Sequence, residues 1–256
     1  MNLDTRALAS RLKTIESVAS ISTITSTNSV ARQVADECVE NELPFPSVTI
    51  LAREQTEGKG RASRSWYSPK DKGIYATTMH TREAGDFGLL PLEIGIIVAS
   101  FLRETYGIDA RLKWPNDVLV GGRKIAGILI EARIHEDQAA LIIGTGINVE
   151  KLGPDAPENS TSIAEELRGD RSVDLVSATE AFIEHLDRGL GQRLDRDEIL
   201  KRWRTSMVHE KGDAISVVLH SGTVNGTWDG IDDDGRAVIH EGEKLHHISA
   251  GDLIIE

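Results

Sequence analysis

Residues 57–78 carry the most unusual chemistry of this sequence, EGKGRASRSWYSPKDKGIYATT. Between positions 59 and 72, five basic residues surround a single acid, Asp71, in a chain whose formal net charge is −12. The basic residues are Lys59, Arg61, Arg64, Lys70 and Lys72. Gly58 and Gly60 allow neighbouring backbone N–H groups to converge on an anion without a Cβ in the way. The segment therefore predicts an anion-binding loop, with a solvated basic surface loop as the alternative.

Trp66 stands inside this basic segment. A guanidinium group and an indole face together offer the charge and the stacking surface that a nucleotide needs. The loop is not a Walker motif, because Gly58 and Lys59 are followed by glycine rather than by serine or threonine. Trp66 therefore favours a nucleotide site of another kind, and anchoring of the loop to the core is the alternative interpretation.

A second motif, KWPND at residues 113–117, places Lys113 at the end of a strand pattern. Pro115 fixes the backbone, and Asn116 and Asp117 can turn the chain through hydrogen bonds of their own side chains. The motif predicts a cation that is held rigidly at a strand end and directed at a ligand.

Glycines interrupt two further apolar segments. GRKIAGILIE (122–131) contains Lys124 and Gly127, and GTGIN (144–148) ends in Asn148. Glycine inside a strand marks a bulge or the close approach of a ligand, although each segment alone is more often explained by packing. Together with the cationic loop and the strand-end lysine, the two glycine-interrupted segments predict a site for an apolar carboxylic acid beside a nucleoside triphosphate. Joining a carboxylate to AMP requires charge neutralisation and in-line positioning.

Hydrophobic periodicity predicts the elements that must position these residues. Helices are predicted over Leu8, Leu12, Ile15 and Val18, over 26–41, over 91–107, and between Thr161 and Met207. Strands are predicted at 47–54, 73–80, 111–120, 124–134 and 139–149, with a tight hairpin at Gly121-Gly122. The connection over 55–72 is much longer than the common lengths of about 2 to 6 residues, which is typical of a functional or disordered loop.

A change of composition predicts a second domain near the C-terminus. From Lys211 onward, short alternating strands are separated by glycines, which is typical of a small β-barrel. We therefore predict a catalytic domain over 1–208 and a C-terminal domain over 209–256.

Composition also restricts the classes of function. The 256 residues, 39% of them hydrophobic, suit one sizeable globular domain with a smaller one. No apolar run approaches the roughly 18 to 20 residues that span a bilayer, and the first 20 residues lack a secretory signal, so we expect a soluble, cytoplasmic protein without membrane association. The acidic charge argues against broad nucleic-acid binding. Cys38 is the only cysteine and is expected to be a buried structural thiol.

Five motifs in a fixed order carry a resemblance to a known family. They are TSTN (25–28), EQTEGKGRASRSW (54–66), KWPNDV (113–118), RKIAGILIE (123–131) and IGTGIN (143–148). In these motifs the sequence closely resembles the biotin protein ligases, the biotin–[acetyl-CoA-carboxylase] ligases. The resemblance implies an α+β fold with a mixed central β-sheet flanked by helices, like that of class II aminoacyl-tRNA synthetases, and a small C-terminal SH3-like β-barrel.

The resemblance also implies an activity. Such an enzyme would form biotinyl-AMP and pyrophosphate from biotin and ATP with Mg²⁺. It would then transfer biotin to one lysine of a biotin carboxyl carrier protein or domain of acetyl-CoA carboxylase or a related carboxylase. The first motif begins at residue 25, so we expect a ligase without the DNA-binding domain and repressor function that some members carry.

The resemblance assigns two sets of binding residues. Biotin contacts would come from Ser26, Thr27, Asn28, Gln55, Gly58, Lys59, Gly60, Arg61, Lys113 and Gly127. Contacts to ATP or the adenylate would come from Arg61, Arg64, Trp66, Lys113, Asn116, Lys124 and Asn148, with Trp66 over the adenine. Lys113 and Arg61 would act as the catalytic cations, and no metal ligand is assigned. The loop departs from the family's usual GRGRRGR-like sequence, because Ala62 replaces a cation and Ser63 replaces a glycine.

Clustered like charges on a glycine-rich segment repel one another until an anion neutralises them, so the loop over 57–72 is expected to become ordered when biotin or the adenylate binds.

Two alternative functions remain open, a lipoate-protein ligase and a non-catalytic biotin sensor. Free strand edges in the main sheet could pair two copies of the chain as a homodimer or receive the carrier domain.

Overall fold

A mixed seven-stranded sheet forms the centre of the protein, whose computed structural model describes residues 3–167, 171–219 and 221–255. The strands are β1 (Ser17–Ile24), β2 (Val48–Gln55), β3 (Gly73–Glu83), β4 (Arg111–Lys113), β5 (Asp117–Val120), β6 (Arg123–His135) and β7 (Gln138–Asn148). Their order is β1-β2-β3-β7-β6-β5-β4, with β1 and β2 parallel and all other neighbours antiparallel. The predicted long connection between β2 and β3 is confirmed.

Helices cover both faces of this sheet. They are α1 (Thr5–Ala9), α2 (Thr27–Glu40), α3 (Leu90–Tyr106), α4 (Ile163–Glu166), α5 (Leu175–Gln192) and α6 (Arg196–Ser206). Ala31 of α2 packs in a small core with Ile50 and Ile142, whereas α3 and α5 belong to the larger core, where Phe101 and Phe182 meet edge to face at 5.3 Å. The predicted α+β class, with a mixed sheet flanked by helices, is confirmed.

Local sequence signals explain where the elements near the site begin and end. Pro91 lies in the first turn of α3, and Gly107 ends that helix in the left-handed region at φ 72°. Gly121 and Gly122, with φ 54° and 80°, close the β5–β6 hairpin as predicted. This hairpin brings Lys124 back towards the KWPND turn.

The helix predicted over Leu8 to Val18 is wrong beyond Ala9. The helix α1 ends at Ala9, and Val18 instead belongs to β1, where it pairs with Thr49 of β2. The carboxylate of Asp187 on α5 accepts the backbone N–H groups of residues 13, 14 and 15 at 2.8–2.9 Å. These donors can no longer serve a helix, so the chain extends into a strand that the sequence pattern did not reveal.

A second, antiparallel sheet follows α6. Its strands are β8 (Ala214–Leu219), β9 (Gly222–Ile231), β10 (Ala237–Glu241), β11 (Lys244–Ile248) and β12 (Asp252–Ile255), in the order β11-β10-β9-β8-β12. The pairings among the described residues form an open sheet, and its closure into an SH3-like barrel stays a prediction. The boundary between residues 208 and 209 also stays a prediction, because the larger core includes Trp228 and Ile239 together with residues of the first sheet.

Parts of two predicted segments lie outside the described residues. The predicted helical segment from Thr161 to Met207 contains α4, α5 and α6, but its residues 168–170 are not described. Residues 220 and 256 of the predicted C-terminal domain are likewise outside. Within the described ranges, no helix has the length and apolar character needed to cross a membrane.

Candidate active site

A cavity of about 710 Å³ lies where the end of β2 and the start of α2 meet the turn between β4 and β5 and the glycine-interrupted parts of β6 and β7. Nearly all predicted site residues line it: Ser26, Thr27, Asn28, Gln55, Lys59, Gly60, Arg61, Arg64, Trp66, Lys113, Asn116, Lys124, Gly127 and Asn148. Gly58 is buried outside this lining, where a Cβ would lie 2.5 Å from the carbonyl oxygen of Trp66. The fold thus brings five separate motifs to one cavity.

The glycine-rich loop forms a short hairpin beside this cavity. Its backbone hydrogen bonds run from Gly60 N to Arg64 O (2.7 Å), from Trp66 N to Gly58 O (2.8 Å) and from Arg64 N to Arg61 O (3.1 Å). Ala62 and Ser63 form its tip with φ 51° and 59°, the left-handed conformation that a type I′ turn requires. The N–H of Gly60 is used within the hairpin and does not contribute to an N–H nest in this conformation, and the predicted anion-binding nest stays a prediction.

The Trp66 indole packs directly against two glycines of the central sheet. Gly127 of β6 and Gly146 of β7 are register partners, and a Cβ on Gly146 would lie 2.5 Å from the indole. The ammonium of Lys124 lies 5.2 Å from the ring centroid of Trp66, within cation–π range. Trp66 therefore contacts Gly127, which is predicted to bind biotin, and Lys124, which is predicted to bind ATP. Its place over the adenine stays a prediction.

One end of the cavity is a polar network at the start of α2. The Gln55 side-chain oxygen accepts the backbone N–H of Thr27 at 2.8 Å, and its amide nitrogen donates to Ser68 at 3.0 Å. The hydroxyl of Thr77 lies 2.7 Å from both the Thr27 hydroxyl and the Asn28 side-chain oxygen. These contacts fix hydrogen-bonding side chains at this end of the cavity.

Gly144 makes room for this network. A Cβ at this position would lie 2.0 Å from the side-chain oxygen of Asn28. The Asn28 amide nitrogen donates to Glu131 of β6 at 3.1 Å. Asn28 therefore lies directly on the sheet because β7 has a glycine there.

The KWPND turn forms the opposite end of the cavity. Asn116 donates to the carbonyl of Ile128 at 2.5 Å, which ties the turn to β6, and Asp117 pairs with Lys124 at 2.7 Å. Lys113 forms no ion pair with any described residue. Burial lowers the pKa of the Lys113 ammonium, an effect that the nearby carboxylate of Asp117 opposes.

Two arginines of the hairpin have different surroundings. Arg61 is partly buried and donates to Asn116 at 3.4 Å, and burial lowers the pKa of its guanidinium. Arg64 is more exposed and pairs with Asp252 of β12 at 2.5 Å. Arg61 therefore faces the cavity without a carboxylate partner among the described residues, whereas Arg64 connects the hairpin to the second sheet.

Asn148 acts within the wall of the cavity. Its amide nitrogen donates to the carbonyl of Thr161 at 2.9 Å and lies 3.4 Å from that of Lys124. Thr161 N in turn donates to Lys124 O at 2.9 Å. These bonds hold residues 159–161 against β6, and direct contact of Asn148 with a nucleotide stays a prediction.

Sequence comparison agrees with this arrangement. The profile of the biotin/lipoate A/B protein ligase family matches residues 21–148, half of the chain and a range that contains every predicted site residue. The chain belongs to this family. The biotin protein ligase C-terminal domain matches residues 212–255.

Other members of the ligase family are similar over most of the chain. The bifunctional ligase/repressor BirA of Bacillus subtilis is 28% identical over 250 residues, which cover 88% of this chain and 71% of the relative. The biotin–[acetyl-CoA-carboxylase] ligase of Mycobacterium tuberculosis is 27% identical over 214 residues, covering 81% and 78%.

The fold is shared with solved structures of the family. The biotin protein ligase of Aquifex aeolicus in complex with biotin and ATP superposes with a TM-score of 0.75 at 24% identity, over 93% of this chain and 99% of that chain. The biotin protein ligase of Leishmania major in complex with biotinyl-5-AMP gives a TM-score of 0.60 at 22% identity, over 91% and 98%.

In this ligase-family site, sequence reasoning missed the contribution of the second sheet. Asp252 binds Arg64, and Ile254 of the same strand lines the cavity. Asp252 is 188 positions away from its partner, and no local motif marks it. Gly146 was visible only as one more glycine in a strand, because its contact with Trp66 depends on the path of the hairpin.

Proposed function

We propose that this protein is an ATP-dependent biotin ligase, which forms biotinyl-AMP and pyrophosphate and then transfers biotin to a lysine of a carboxylase carrier domain. The observation that carries the proposal is the pair of partly buried cations, Lys113 and Arg61, which reach one cavity without a carboxylate partner among the described residues. Burying unpaired cations costs free energy, which an anionic ligand would recover.

The cavity has chemistry suited to biotin at its other end. The side chains of Thr27 and Gln55 offer donors and acceptors for a urea-like head group, while the Trp66 indole, which lies on Gly127 and Gly146, offers an apolar surface for a ring and alkyl chain. A ligand bound with its polar head at Gln55 would direct its carboxylate towards Lys113. Both anionic reactants would then meet at the cations.

In adenylation, a carboxylate oxygen attacks the α-phosphorus of ATP, and the bond to pyrophosphate breaks. The two reacting groups are both negatively charged, so their approach is opposed by repulsion. Lys113 and Arg61 would reduce that repulsion and stabilise the charge on the α-phosphoryl oxygens. Their restricted positions, on a strand end and a hairpin, would supply the alignment of the reacting atoms.

Magnesium would reach this site with the nucleotide. Asp117 is the only carboxylate that lines the cavity among the described residues, and no group of three or more metal-ligand side chains occurs in the described part of the chain. Mg²⁺ is commonly bound by one or two carboxylates together with substrate phosphates, which fits Asp117 and ATP. The ion would neutralise phosphate charge, while Lys113 and Arg61 act on the attacked phosphoryl group.

In the transfer step, the amine of an acceptor lysine attacks the acyl carbon of the adenylate, and AMP leaves. The names of relatives, such as the biotin–[acetyl-CoA-carboxylase] ligase of Paracoccus denitrificans (38% identical over 110 residues, covering 40% of this chain and 45% of the relative), support a carboxylase carrier as the acceptor.

Pyrophosphate release with ATP and Mg²⁺ tests the proposal. Release is expected with biotin and not with lipoate or without an acid. Release with lipoate alone would assign the lipoate branch of the family, and tight biotin binding without release would assign a sensor. Lys113→Ala should remain folded, bind biotin and lose most of the release; an unchanged rate would contradict the role of Lys113.

A further inference from the structure

The residues on both sides of Lys113 are hydrogen-bonded to the C-terminal part of the chain. Before it, the carbonyl of Leu112 accepts the N–H of Val208 at 2.8 Å. After it, the indole N–H of Trp114 donates to the carbonyl of Gly235 at 3.0 Å. Because the Lys113 ammonium has no ion-pair partner among the described residues, its position depends on its backbone, which these two bonds help to hold together with the pairing of Lys113 and Asp117 between β4 and β5.

The acceptor of the second bond lies on a rigid turn between β9 and β10. The Asp232 carboxylate accepts the N–H groups of Asp234 and Arg236, each at 3.0 Å. Gly235 has φ 74°, and a Cβ there would lie 2.7 Å from Leu89 at the start of α3. The turn therefore fits against α3 only with glycine at this position.

The same turn is anchored to α6. Arg204 donates to the carbonyl of Ile231 at 3.1 Å, and Arg196 pairs with Asp234. These contacts come from α6, whereas the contact of Leu89 with the turn comes from the start of α3. The Gly235 carbonyl is consequently a fixed acceptor, and a side chain bonded to it is fixed as well.

Trp114 differs from the other tryptophans of the chain. It is 2% exposed and its indole N–H has a partner, whereas the indole nitrogens of Trp66, Trp203 and Trp228 are buried without one among the described residues. Its ring also lines a second cavity of about 620 Å³, which shares Arg61 and Asn116 with the first. A directional bond at Trp114 is a specific feature, because the other three indole N–H groups have no hydrogen-bond partner in the part of the chain that the structure describes.

We propose that Trp114 is a positioning residue for adenylation, through which the β9–β10 turn of the second sheet sets the position of Lys113. The inference rests on the proposed function. It adds that the position of Lys113, on the first sheet, depends on contacts made by the second sheet. The second sheet would then be needed for charge neutralisation, in addition to supplying Ile254 to the cavity and Asp252 as the partner of Arg64.

Trp114→Phe tests this inference because it keeps an apolar ring and removes the N–H donor. We expect kcat for biotin-dependent pyrophosphate release to fall about tenfold, with biotin affinity measured without ATP unchanged within twofold. Gly235→Ala is expected to give the same pattern, since its Cβ would displace the acceptor. Arg202→Gln is the matched control, because it changes an exposed ion pair with Glu198 within α6, away from the turn, and should leave kcat at the wild-type value.

A double substitution separates positioning of Lys113 from a general structural effect. Lys113→Arg keeps a cation and some turnover, and in that background Trp114→Phe should lower kcat by clearly less than tenfold. An equal fall in both backgrounds, or wild-type kcat in Trp114→Phe, would overturn the inference. Thermal melting checks that each variant is folded, and Gly235→Ala in both backgrounds replaces Trp114→Phe if the latter unfolds.

Failure of the proposed function gives a different result. If the wild-type protein itself releases no pyrophosphate with biotin, the ligase assignment fails before any variant is compared. If the wild type is active and the variants behave as it does, only the role of Trp114 fails.

Discussion

Gly127 and Gly146 face each other across β6 and β7, and together they form the surface on which the Trp66 indole lies. A Cβ on Gly127 would be 2.9 Å from the ring, and a Cβ on Gly146 would be 2.5 Å from it. Both distances are shorter than carbon atoms tolerate without movement of the indole. The two glycines therefore determine where the hairpin can rest on the sheet.

Gly146→Ala should displace Trp66 and distort the slot beside it. We expect the affinity for biotin to fall by tenfold or more, while the thermal midpoint changes little because the substitution lies at a cavity wall. Isothermal titration with biotin measures the effect. Gly85→Ala is the matched control, since a Cβ there meets only one atom, at 3.9 Å; wild-type affinity in Gly146→Ala would contradict the contact.

The hairpin tip should respond to the backbone preference of residue 63. Ser63 has φ 59°, a conformation that costs a non-glycine residue about 1–2 kcal/mol and a β-branched residue more. Ser63→Gly should lower the apparent KM for ATP by up to about fivefold, which corresponds to about 1 kcal/mol, and Ser63→Val should raise it. Initial rates of pyrophosphate release at varied ATP concentration give the apparent KM of each variant. If the two substitutions change this KM in the same direction, the hairpin is not the active conformation.

The ion pair between Arg64 and Asp252 should restrain the hairpin in the absence of ligand. Asp252→Asn removes the carboxylate charge and is expected to speed tryptic cleavage after the basic residues of the hairpin by a few-fold, because exposed pairs contribute at most about 1 kcal/mol. Biotin with ATP should protect both proteins. Asp213→Asn, in the turn before β8 and not paired with Arg64, serves as the control, and equal cleavage of wild type and Asp252→Asn would exclude the restraint.

His209 should make the fold sensitive to mild acid. The pKa of His209 is lowered from 6.5 to about 4, chiefly by burial and in smaller part by the charge of Lys113, while Asp213 opposes the shift. The folded protein therefore favours the neutral imidazole, so this contribution to stability is complete above pH 6.5 and is lost as the pH falls towards 4.

His209→Phe keeps a ring beside Trp228, which is 4.9 Å away, and removes two ring nitrogens that are buried without partners among the described residues. We expect it to be as stable as the wild type or more so at pH 7, and to lose less of its thermal midpoint between pH 7 and 5. Melting curves at matched ionic strength provide the measurement. Parallel losses in both proteins would mean that other groups, such as the buried His80, dominate this range.

The chemistry of the site could be predicted from the sequence because it depends on short motifs. The basic loop, the KWPND turn and the interrupted strands each have a local signature, and all predicted site residues except Gly58 line one cavity. Where local preference and tertiary packing agree, as for α3 between Pro91 and Gly107, the predicted bounds are close to the observed ones.

Other features depended on partners that are distant in sequence. Asp187 binds the backbone of residues 13–15 between the first helix and β1, and Asp252 of the second sheet reaches Arg64 of the hairpin. The hydrogen bond from Trp114 to Gly235 likewise joins residues with no common motif. The sequence by itself determined which residue types could bind an apolar acid and a nucleotide. Only the tertiary structure decided which of them are held in place, because that depends on hydrogen bonds and steric contacts between segments far apart in the chain.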